Sequence, residues 1–195
     1  MRVIAGVAKG HKLVAPAGVT RPTTDRVREA VFSGLANWAN TGGNAADGQL
    51  AGHSLLDLYA GSGAVAIEAA SRGANPVVAV DTDQFAVAAI KANATATGLS
   101  VVARRVTVQA YLSAPSGPFS IIWLDPPYAL APSDLDKVLA MIDANHHLAP
   151  GGLVAIERTS RVQPPTWPFG LAQSWQRHYG ETVVYFGQSA LKEHQ

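Results

Sequence analysis

The sequence Asp125-Pro126-Pro127-Tyr128 has the residue types that most directly suggest chemistry, and it follows the apolar run 121–124. Proline fixes φ and lacks an N–H group, so the two prolines stiffen the turn and keep the Pro126 carbonyl out of a strand ladder. The Asp125 carboxylate and that carbonyl are acceptors for the two N–H groups of an exocyclic base amine, which is a weak nucleophile because its lone pair is delocalised. Tyr128 can stack on the same base, an interaction of about 1–3 kcal/mol. The motif predicts modification of a nucleic-acid base at its amine; the alternative is a loop that proline merely stiffens.

A glycine-rich turn earlier in the chain suggests a nucleotide-like cofactor. Asp57-Leu-Tyr59-Ala-Gly61-Ser-Gly63 lies between a strand-like and a helix-like run, where glycines let the backbone approach a ligand closely. Asp81 ends the next apolar run about 20 residues after Gly61, where a carboxylate can accept both ribose hydroxyls. This spacing fits NAD and S-adenosylmethionine equally. An acid at position 57 suits a cationic amino-acid cofactor and repels a pyrophosphate, so the sequence favours S-adenosylmethionine, with S-adenosylhomocysteine as product.

Basic residues are concentrated at the start of the chain. Residues 1–28 carry six basic side chains against one acidic, a net of +5, whereas the remainder carries nine against thirteen, a net of −4. This asymmetry indicates either a surface that binds a polyanion or a solvated polar face. The candidate nucleic-acid contacts are Arg2, Lys9, Lys12, Arg21 and Arg26.

The composition excludes several kinds of protein. The 195 residues are 48% hydrophobic and 15% charged, which is typical of a globular domain and not of a disordered chain. There is no cysteine, which excludes a thiolate metal site and a cysteine nucleophile. His146-His147 lacks further ligands at metal-site spacing, so we expect a structural role and no metal. Because signal-peptide and membrane-span patterns are absent from the sequence, we expect a cytoplasmic protein without a membrane partner.

The middle of the chain alternates strand-like and helix-like runs. Strands are predicted at 55–59, 77–80, 101–108, 121–124 and 153–156, and helices at 64–72, 85–97 and 133–146. Apolar strands separated by such helices form a mostly parallel sheet covered on both faces. Runs 171–179 and 182–186 flank Gly180-Glu181, which is typical of an antiparallel hairpin. The predicted fold is a doubly wound, Rossmann-like α/β sheet with a C-terminal hairpin.

The first part of the chain is predicted to be a small extension. Runs 2–5 and 11–15 flank a glycine-containing turn, so we expect residues 1–20 to form a basic β-hairpin and residues 21–195 to form the main domain. Thr23 or Thr24 caps the helix that follows. Its predicted apolar stripe consists of Val27, Ala30, Val31, Leu35 and Trp38. Residues 37–52 have no hydrophobic period, which indicates an exposed loop.

The chain closely resembles the RsmD family, bacterial methyltransferases of guanine N2 in small-subunit (16S) ribosomal RNA. The likeness covers nearly the whole chain and rests on residues 2–6, 20–32, 57–63 and 125–128. The Asp-Pro-Pro-Tyr motif is shared by many amino-methylating enzymes, whereas the run Thr-Arg-Pro-Thr-Thr within 20–32 is more particular to this family. The resemblance implies a class I S-adenosylmethionine-dependent methyltransferase fold for the main domain.

The resemblance also implies roles for single residues around the cofactor. The implied contacts are Asp57, Gly61 and Gly63 to the methionine part and Asp81 to the ribose. Gln109 and Ala110 are implied to lie near the adenine. Gln109 departs from the Asp or Asn that is usual there, although its amide can still donate to an adenine acceptor.

The implied function is methyl transfer to guanine N2 by a monomer that acts on ribosomal RNA in an assembling small subunit. Arg21, Thr23 and Arg26 are implied to face this RNA or to close the mouth of the active site. A DNA adenine-N6 methyltransferase would use the same motif, but such enzymes usually carry a separate target-recognition region. A non-catalytic ribosome-assembly factor is disfavoured by the intact acceptor pair. A nicotinamide dehydrogenase is suggested only by Gly61-x-Gly63.

Overall fold

The computed structural model describes residues 1–16, 24–171 and 173–191. The helices are α1 (Asp25–Trp38), α2 (Ala64–Ser71), α3 (Gln84–Thr97), α4 (Val108–Ser113) and α5 (Pro132–Ala144), with a 3-10 turn at Ala46–Gly48. The strands are β1 (Leu55–Leu58), β2 (Val77–Asp81), β3 (Val102–Arg105), β4 (Phe119–Leu124), β5 (Leu148–Thr159), β6 (Gln173–Tyr179) and β7 (Thr182–Gln188). They form a seven-stranded sheet in the order β3-β2-β1-β4-β5-β7-β6.

Within each of the two units that the sheet spans, the strands run parallel except where β7 pairs. Strand pairs β1–β2, β2–β3 and β4–β5 are parallel, whereas β7 pairs antiparallel with both β5 and β6. Parallel strands joined by helices are the pattern of open α/β folds. The predicted Rossmann-like sheet and its C-terminal hairpin are therefore confirmed.

The chain divides into two compact units, residues 1–105 and 106–195. The first unit contains β1–β3 and α1–α3. Its first helix begins where predicted, because the Thr24 hydroxyl accepts the Val27 N–H at 3.3 Å and caps α1. The predicted exposed loop 37–52 is wrong at Leu50, which is fully buried and donates its N–H to the Arg72 carbonyl at 2.8 Å.

The N-terminal segment 1–16 packs onto α2 and α3. Its two runs lie antiparallel, with a bridge between Arg2 and Lys12 and with the Val3 N–H donating to the His11 carbonyl at 3.0 Å. The predicted hairpin is therefore confirmed, but its ladder is shorter than the predicted runs 2–5 and 11–15. The buried side chains of this segment, Val3, Ala8 and Leu13, cluster with Ala64, Ile67 and Ala94 of the helices. The boundary predicted between residues 20 and 21 lies outside the described residues.

A buried charge cluster joins the N-terminal segment to α1 and α2. Glu68 is fully buried, and its carboxylate accepts the N–H groups of Ile4 at 2.7 Å and Ala5 at 3.0 Å. The same carboxylate pairs with Arg72 Nε at 2.8 Å and lies 3.9 Å from Arg28 Nε. Arg28 is only 1% exposed, so it belongs to this cluster and not to a basic surface.

The second unit contains β4–β7 with α4 and α5. The predicted strand 101–108 is wrong at its end, because β3 stops at Arg105 and α4 begins at Val108. Thr107 explains the difference: its hydroxyl accepts the Ala110 N–H at 3.1 Å and caps a helix, although β-branched residues on either side favour a strand.

Candidate active site

The glycine-rich turn after β1 adopts a left-handed backbone at three positions. Tyr59, Gly61 and Gly63 have φ values of 63°, 54° and 72°. A Cβ at Gly63 would lie 2.9 Å from Ile90 Cγ1, so both the backbone and the packing require glycine there. Tyr59 is the non-glycine residue of the three, and a left-handed L-residue costs about 1–2 kcal/mol. Strain of this kind is typical of functional sites.

Asp57 connects the end of β1 to the start of α2. Its side chain is 1% exposed, and Oδ2 accepts the Ala66 N–H at 3.1 Å in the first turn of the helix. Gly63, at the N-cap position, has no side chain to perform this role. The carboxylate therefore places a negative charge at a helix N-terminus, where it is stabilised by the helix dipole.

Asp81 at the end of β2 holds the glycine-rich turn. Its Oδ2 accepts the Gly61 N–H at 2.8 Å, and its Oδ1 accepts the Asp83 N–H at 2.9 Å. The structure thus brings together the predicted cofactor residues of β1 and β2, and it adds a role for Asp81 as an organiser of the turn. Each carboxylate oxygen has a further lone pair for a ligand.

Asn93 of α3 is a site residue that the sequence analysis missed. Its fully buried amide donates to the Ser62 carbonyl at 2.9 Å and to the Val14 carbonyl at 3.0 Å. The amide oxygen accepts the Val14 N–H at 2.8 Å. One side chain therefore ties the glycine-rich turn to the N-terminal segment. A signal was present, because Asn93 is the polar member of the otherwise apolar buried face of α3.

In the second unit, the Asp125–Tyr128 motif forms the loop after β4. Asp125 is half-buried, Pro126 is buried, and Tyr128 is 64% exposed. The Leu130 N–H donates to the Pro127 carbonyl at 2.9 Å, which closes a four-residue turn with Tyr128 as its second residue. The acid is thus held at the strand end, while the aromatic ring projects from a tight turn.

Arg158 of β5 binds both ends of this turn. The sequence did not predict this residue as part of the site. Its guanidinium donates to the Pro127 carbonyl at 3.3 Å and to the Leu130 carbonyl at 3.1 Å. Arg158 is 5% exposed. A buried arginine late in an apolar strand was the available signal, since such a side chain needs polar partners.

The residues predicted near the adenine lie on α4. Gln109 and Ala110 are exposed in its first turn. The Ala110 N–H is bound by the Thr107 cap, and the Gln109 carbonyl accepts the Ser113 hydroxyl at 2.8 Å. The Gln109 amide side chain is the group left for the predicted adenine contact, which stays a prediction.

The predicted nucleic-acid contacts lie in and after the N-terminal segment. Arg2, Lys9, Lys12 and Arg26 are all exposed. Arg21 lies outside the described residues. Arg28, which contributed to the basic count of residues 1–28, is buried beside Glu68 and paired with Asp25 at 3.0 Å.

The described ranges offer neither a metal site nor a membrane span. Among these residues, no group of three His, Cys, Asp or Glu side chains could hold a metal ion. No helix in the described part of the chain is long and apolar enough to cross a membrane. His147 is fully buried, and its two ring nitrogens lie 2.8 Å from the carbonyls of Ser116 and Leu112, which is a structural arrangement.

Comparison with known proteins shows extensive similarity. The family described as Conserved hypothetical protein 95 matches residues 1–188. YlbH of Bacillus subtilis (strain 168) is 35% identical over 94% of this chain and 96% of its own length. Ribosomal RNA small subunit methyltransferase D of Escherichia coli (strain K12) is 29% identical over 100% of this chain and 89% of its own length.

A solved structure shares the fold. It is a 16S rRNA N2 methyltransferase of Thermus thermophilus in complex with AdoMet and guanosine, with a TM-score of 0.66 and 23% identity over 89% of this chain and 44% of that chain. The family match spans residues 1–188, and the YlbH relative is 35% identical over 94% of this chain. The chain therefore belongs to the RsmD family of S-adenosylmethionine-dependent methyltransferases.

Proposed function

We propose that this protein transfers the methyl group of S-adenosylmethionine to the exocyclic N2 amine of a guanine in small-subunit (16S) ribosomal RNA. The observation that carries this proposal is the loop after β4. It holds a half-buried acid at the strand end, and Tyr128, three residues later, is 64% exposed. Methyl transfer to a base amine requires an acceptor for the amine N–H groups and an aromatic face on which the base can stack.

The first unit supplies groups that fit S-adenosylmethionine. The Asp81 oxygens each keep a lone pair for a ribose hydroxyl after binding the N–H groups of Gly61 and Asp83. The space beside Gly61 is open, since a Cβ there would meet no other atom within 4 Å. Asp57 provides a negative charge for a cationic cofactor. When bound, S-adenosylmethionine supplies an electrophilic methyl group on a sulfonium sulfur.

The second unit supplies groups that fit the base. Asp125 and the Pro126 carbonyl accept the two N–H groups of the guanine amine and favour the pyramidal nitrogen, whose lone pair is then free to attack. Asp125 accepts the proton that the amine loses and then releases it to solvent. Tyr128 stacks on the base and offsets the unstacking cost of a few kcal/mol. Positioning of the two reactants accounts for most of the catalysis.

The RNA substrate is supported by the relatives and by the surface. The Escherichia coli relative is named as a methyltransferase of small-subunit ribosomal RNA, and the Thermus thermophilus protein is an N2 methyltransferase solved with guanosine. Four exposed basic residues, Arg2, Lys9, Lys12 and Arg26, suit phosphate contacts. Action as a cytoplasmic monomer on an assembling small subunit is part of the same proposal.

The proposal is tested with small ribosomal subunits purified from cells that lack this protein. We expect the protein and S-adenosylmethionine to produce N2-methylguanosine in 16S RNA, detected by mass spectrometry of nucleosides. N6-methyladenosine in DNA, with unmethylated RNA, would instead support the adenine-N6 alternative. Binding to the subunit without methyl transfer would support a non-catalytic assembly factor.

A variant of the acceptor pair tests the mechanism. Asp125→Asn should lower the rate of methyl transfer about 100-fold or more, because it replaces a charged acceptor at the reacting group. Its affinity for S-adenosylmethionine should stay close to that of the natural protein. Asp134→Asn, on α5, is the matched control and should remain active. Near-normal transfer by Asp125→Asn contradicts the proposed role of the acid.

A further inference from the structure

We propose that Arg158 is a positioning residue that fixes the Pro127–Leu130 turn and thereby directs the Tyr128 ring toward the target base. The inference rests on the proposed function for the identity of the base. It rests on the geometry of the second unit for everything else.

The Arg158 guanidinium spans the Pro127–Leu130 turn from end to end. Nη1 donates to the carbonyl of Pro127, the first residue of the turn, and Nη2 donates to the carbonyl of Leu130, the fourth, at 3.3 and 3.1 Å. The Pro127 carbonyl also accepts the Leu130 N–H at 2.9 Å. The two ends of the turn are therefore held both by their own hydrogen bond and by a shared planar cation.

Arg158 is itself held in place by the sheet. It lies in β5, where it pairs with Val183 of β7, and both side chains are buried. The donors of arginine form a rigid fork, so fixing the strand backbone also fixes the direction of its hydrogen bonds. A lysine at this position has one ammonium on a flexible stem and cannot present two donors at the same spacing.

The direction of the Tyr128 ring depends on the turn that carries it. Tyr128 is 64% exposed, so packing against neighbours does little to fix its ring. Its direction must come from the backbone of the turn. We call the two Arg158 hydrogen bonds to the Pro127 and Leu130 carbonyls the Arg158 clamp. Because a misplacement of about 1 Å can cost a factor of about 100 in rate, the Arg158 clamp affects turnover in addition to stability.

The test compares Arg158→Lys and Arg158→Gln with the natural protein. We expect methyl transfer to small ribosomal subunits to fall about 10–100-fold in kcat, while affinity for S-adenosylmethionine changes less than about twofold. Arg161→Ala is the matched control, because Arg161 is exposed and its ion pair is with the exposed Glu181. It should leave kcat unchanged.

A double-variant cycle distinguishes positioning from a general structural role. If Arg158 acts through the ring, Arg158→Lys combined with Tyr128→Ala should be no slower than Tyr128→Ala alone. Losses that multiply would overturn the inference, as would natural kcat in both Arg158 variants. Tyr128→Phe, which keeps the ring, should retain most of the turnover.

Hydrogen exchange gives a readout that does not depend on the substrate. The Leu130 amide should exchange faster in both Arg158 variants, while the amides of β4 keep their protection. Unchanged exchange at Leu130 overturns the clamp even if the protein methylates another substrate. Conversely, faster exchange at Leu130 in a protein that methylates no RNA would contradict the proposed function and leave the clamp standing. If one variant fails to fold, the other provides the same measurements.

Discussion

The Asp81 carboxylate accepts the backbone N–H of Gly61 at 2.8 Å, so the acid after β2 holds the turn after β1. The sequence predicts only a ribose contact for Asp81. The structure gives the same side chain a second role, as the partner of a backbone amide in the cofactor turn. The shape of the glycine-rich turn and the ribose contact predicted for Asp81 therefore depend on the same carboxylate.

Asp81→Ala should weaken S-adenosylmethionine binding by about 1.5–3 kcal/mol for the lost charge-assisted hydrogen bonds. Loosening of the turn adds to that loss, so Asp81→Asn, which retains one acceptor, should be intermediate. Isothermal titration calorimetry measures both. Asp83→Ala is the control, since Asp83 caps α3 through the Phe85 N–H at 2.8 Å and should affect stability without affecting affinity. Equal affinities for Asp81→Ala and the natural protein would show that the ribose acceptor lies elsewhere.

Asn93→Asp should damage the cofactor turn and the N-terminal segment together. The exchange of Nδ2 for oxygen removes the donor to Ser62 and Val14 and brings an acceptor against their carbonyls. An unsatisfied buried polar group costs about 1–3 kcal/mol, and we expect that loss in urea denaturation together with weaker S-adenosylmethionine binding.

Thr95→Ala provides the comparison for Asn93, because Thr95 is an exposed residue of the same helix. It should leave both measurements close to those of the natural protein. If Asn93→Asp loses stability but binds S-adenosylmethionine normally, its contact with Ser62 has no bearing on the cofactor.

The secondary-structure elements and the glycine-rich turn could be predicted from sequence because their signals are local. Gly61, Gly63 and Asp81 follow strand ends at a recognisable spacing, and Asp125 and Tyr128 belong to one contiguous motif. The side chains that hold these groups act over long separations. Val14 and Asn93 are 79 residues apart, and Arg158 reaches Pro127 over 31 residues, so pairing rules for neighbouring positions do not reveal them.

The N-terminal hairpin has a shorter ladder than the sequence predicts, for a related reason. The β-prone runs and the glycine-containing turn in residues 1–16 predict a hairpin from local signals alone. Only the folded structure shows that the Glu68 carboxylate of α2 accepts the N–H groups of both Ile4 and Ala5. Neighbouring N–H groups of a strand point to opposite sides, so their binding by one buried acid ends the strand pairing there.

Glu68→Ala should destabilise the protein strongly, by about 3–5 kcal/mol, because it leaves Arg28 and Arg72 buried without their shared carboxylate. It also removes the acceptor for the two N-terminal amides. Urea denaturation provides the free energy of unfolding. Glu29→Ala removes an exposed acid from α1 and should stay within about 0.5 kcal/mol of the natural protein. A similarly small effect for Glu68→Ala would mean that the cluster contributes little to the fold.

The basic residues of the N-terminal region offer a test of RNA binding that does not disturb the fold. Deleting the segment is unsuitable, since Val3 and Leu13 are part of the core. Lys9→Gln, Lys12→Gln and Arg26→Gln each remove one exposed charge and keep the backbone. If each side chain contacts a phosphate, each variant should reduce the magnitude of the log–log salt slope for binding 16S ribosomal RNA by about 0.7–0.9, with a smaller affinity at low salt. Filter binding over a series of salt concentrations measures the slope.

The control for charge alone is Lys91→Gln, which removes an exposed lysine from α3. Because the Arg28 charge is neutralised by Asp25 and Glu68, the change in slope should come from the exposed N-terminal residues and be absent in the control. If the three N-terminal variants all show the natural slope, their charges form only a solvated face, and the RNA contacts must come from other parts of the surface.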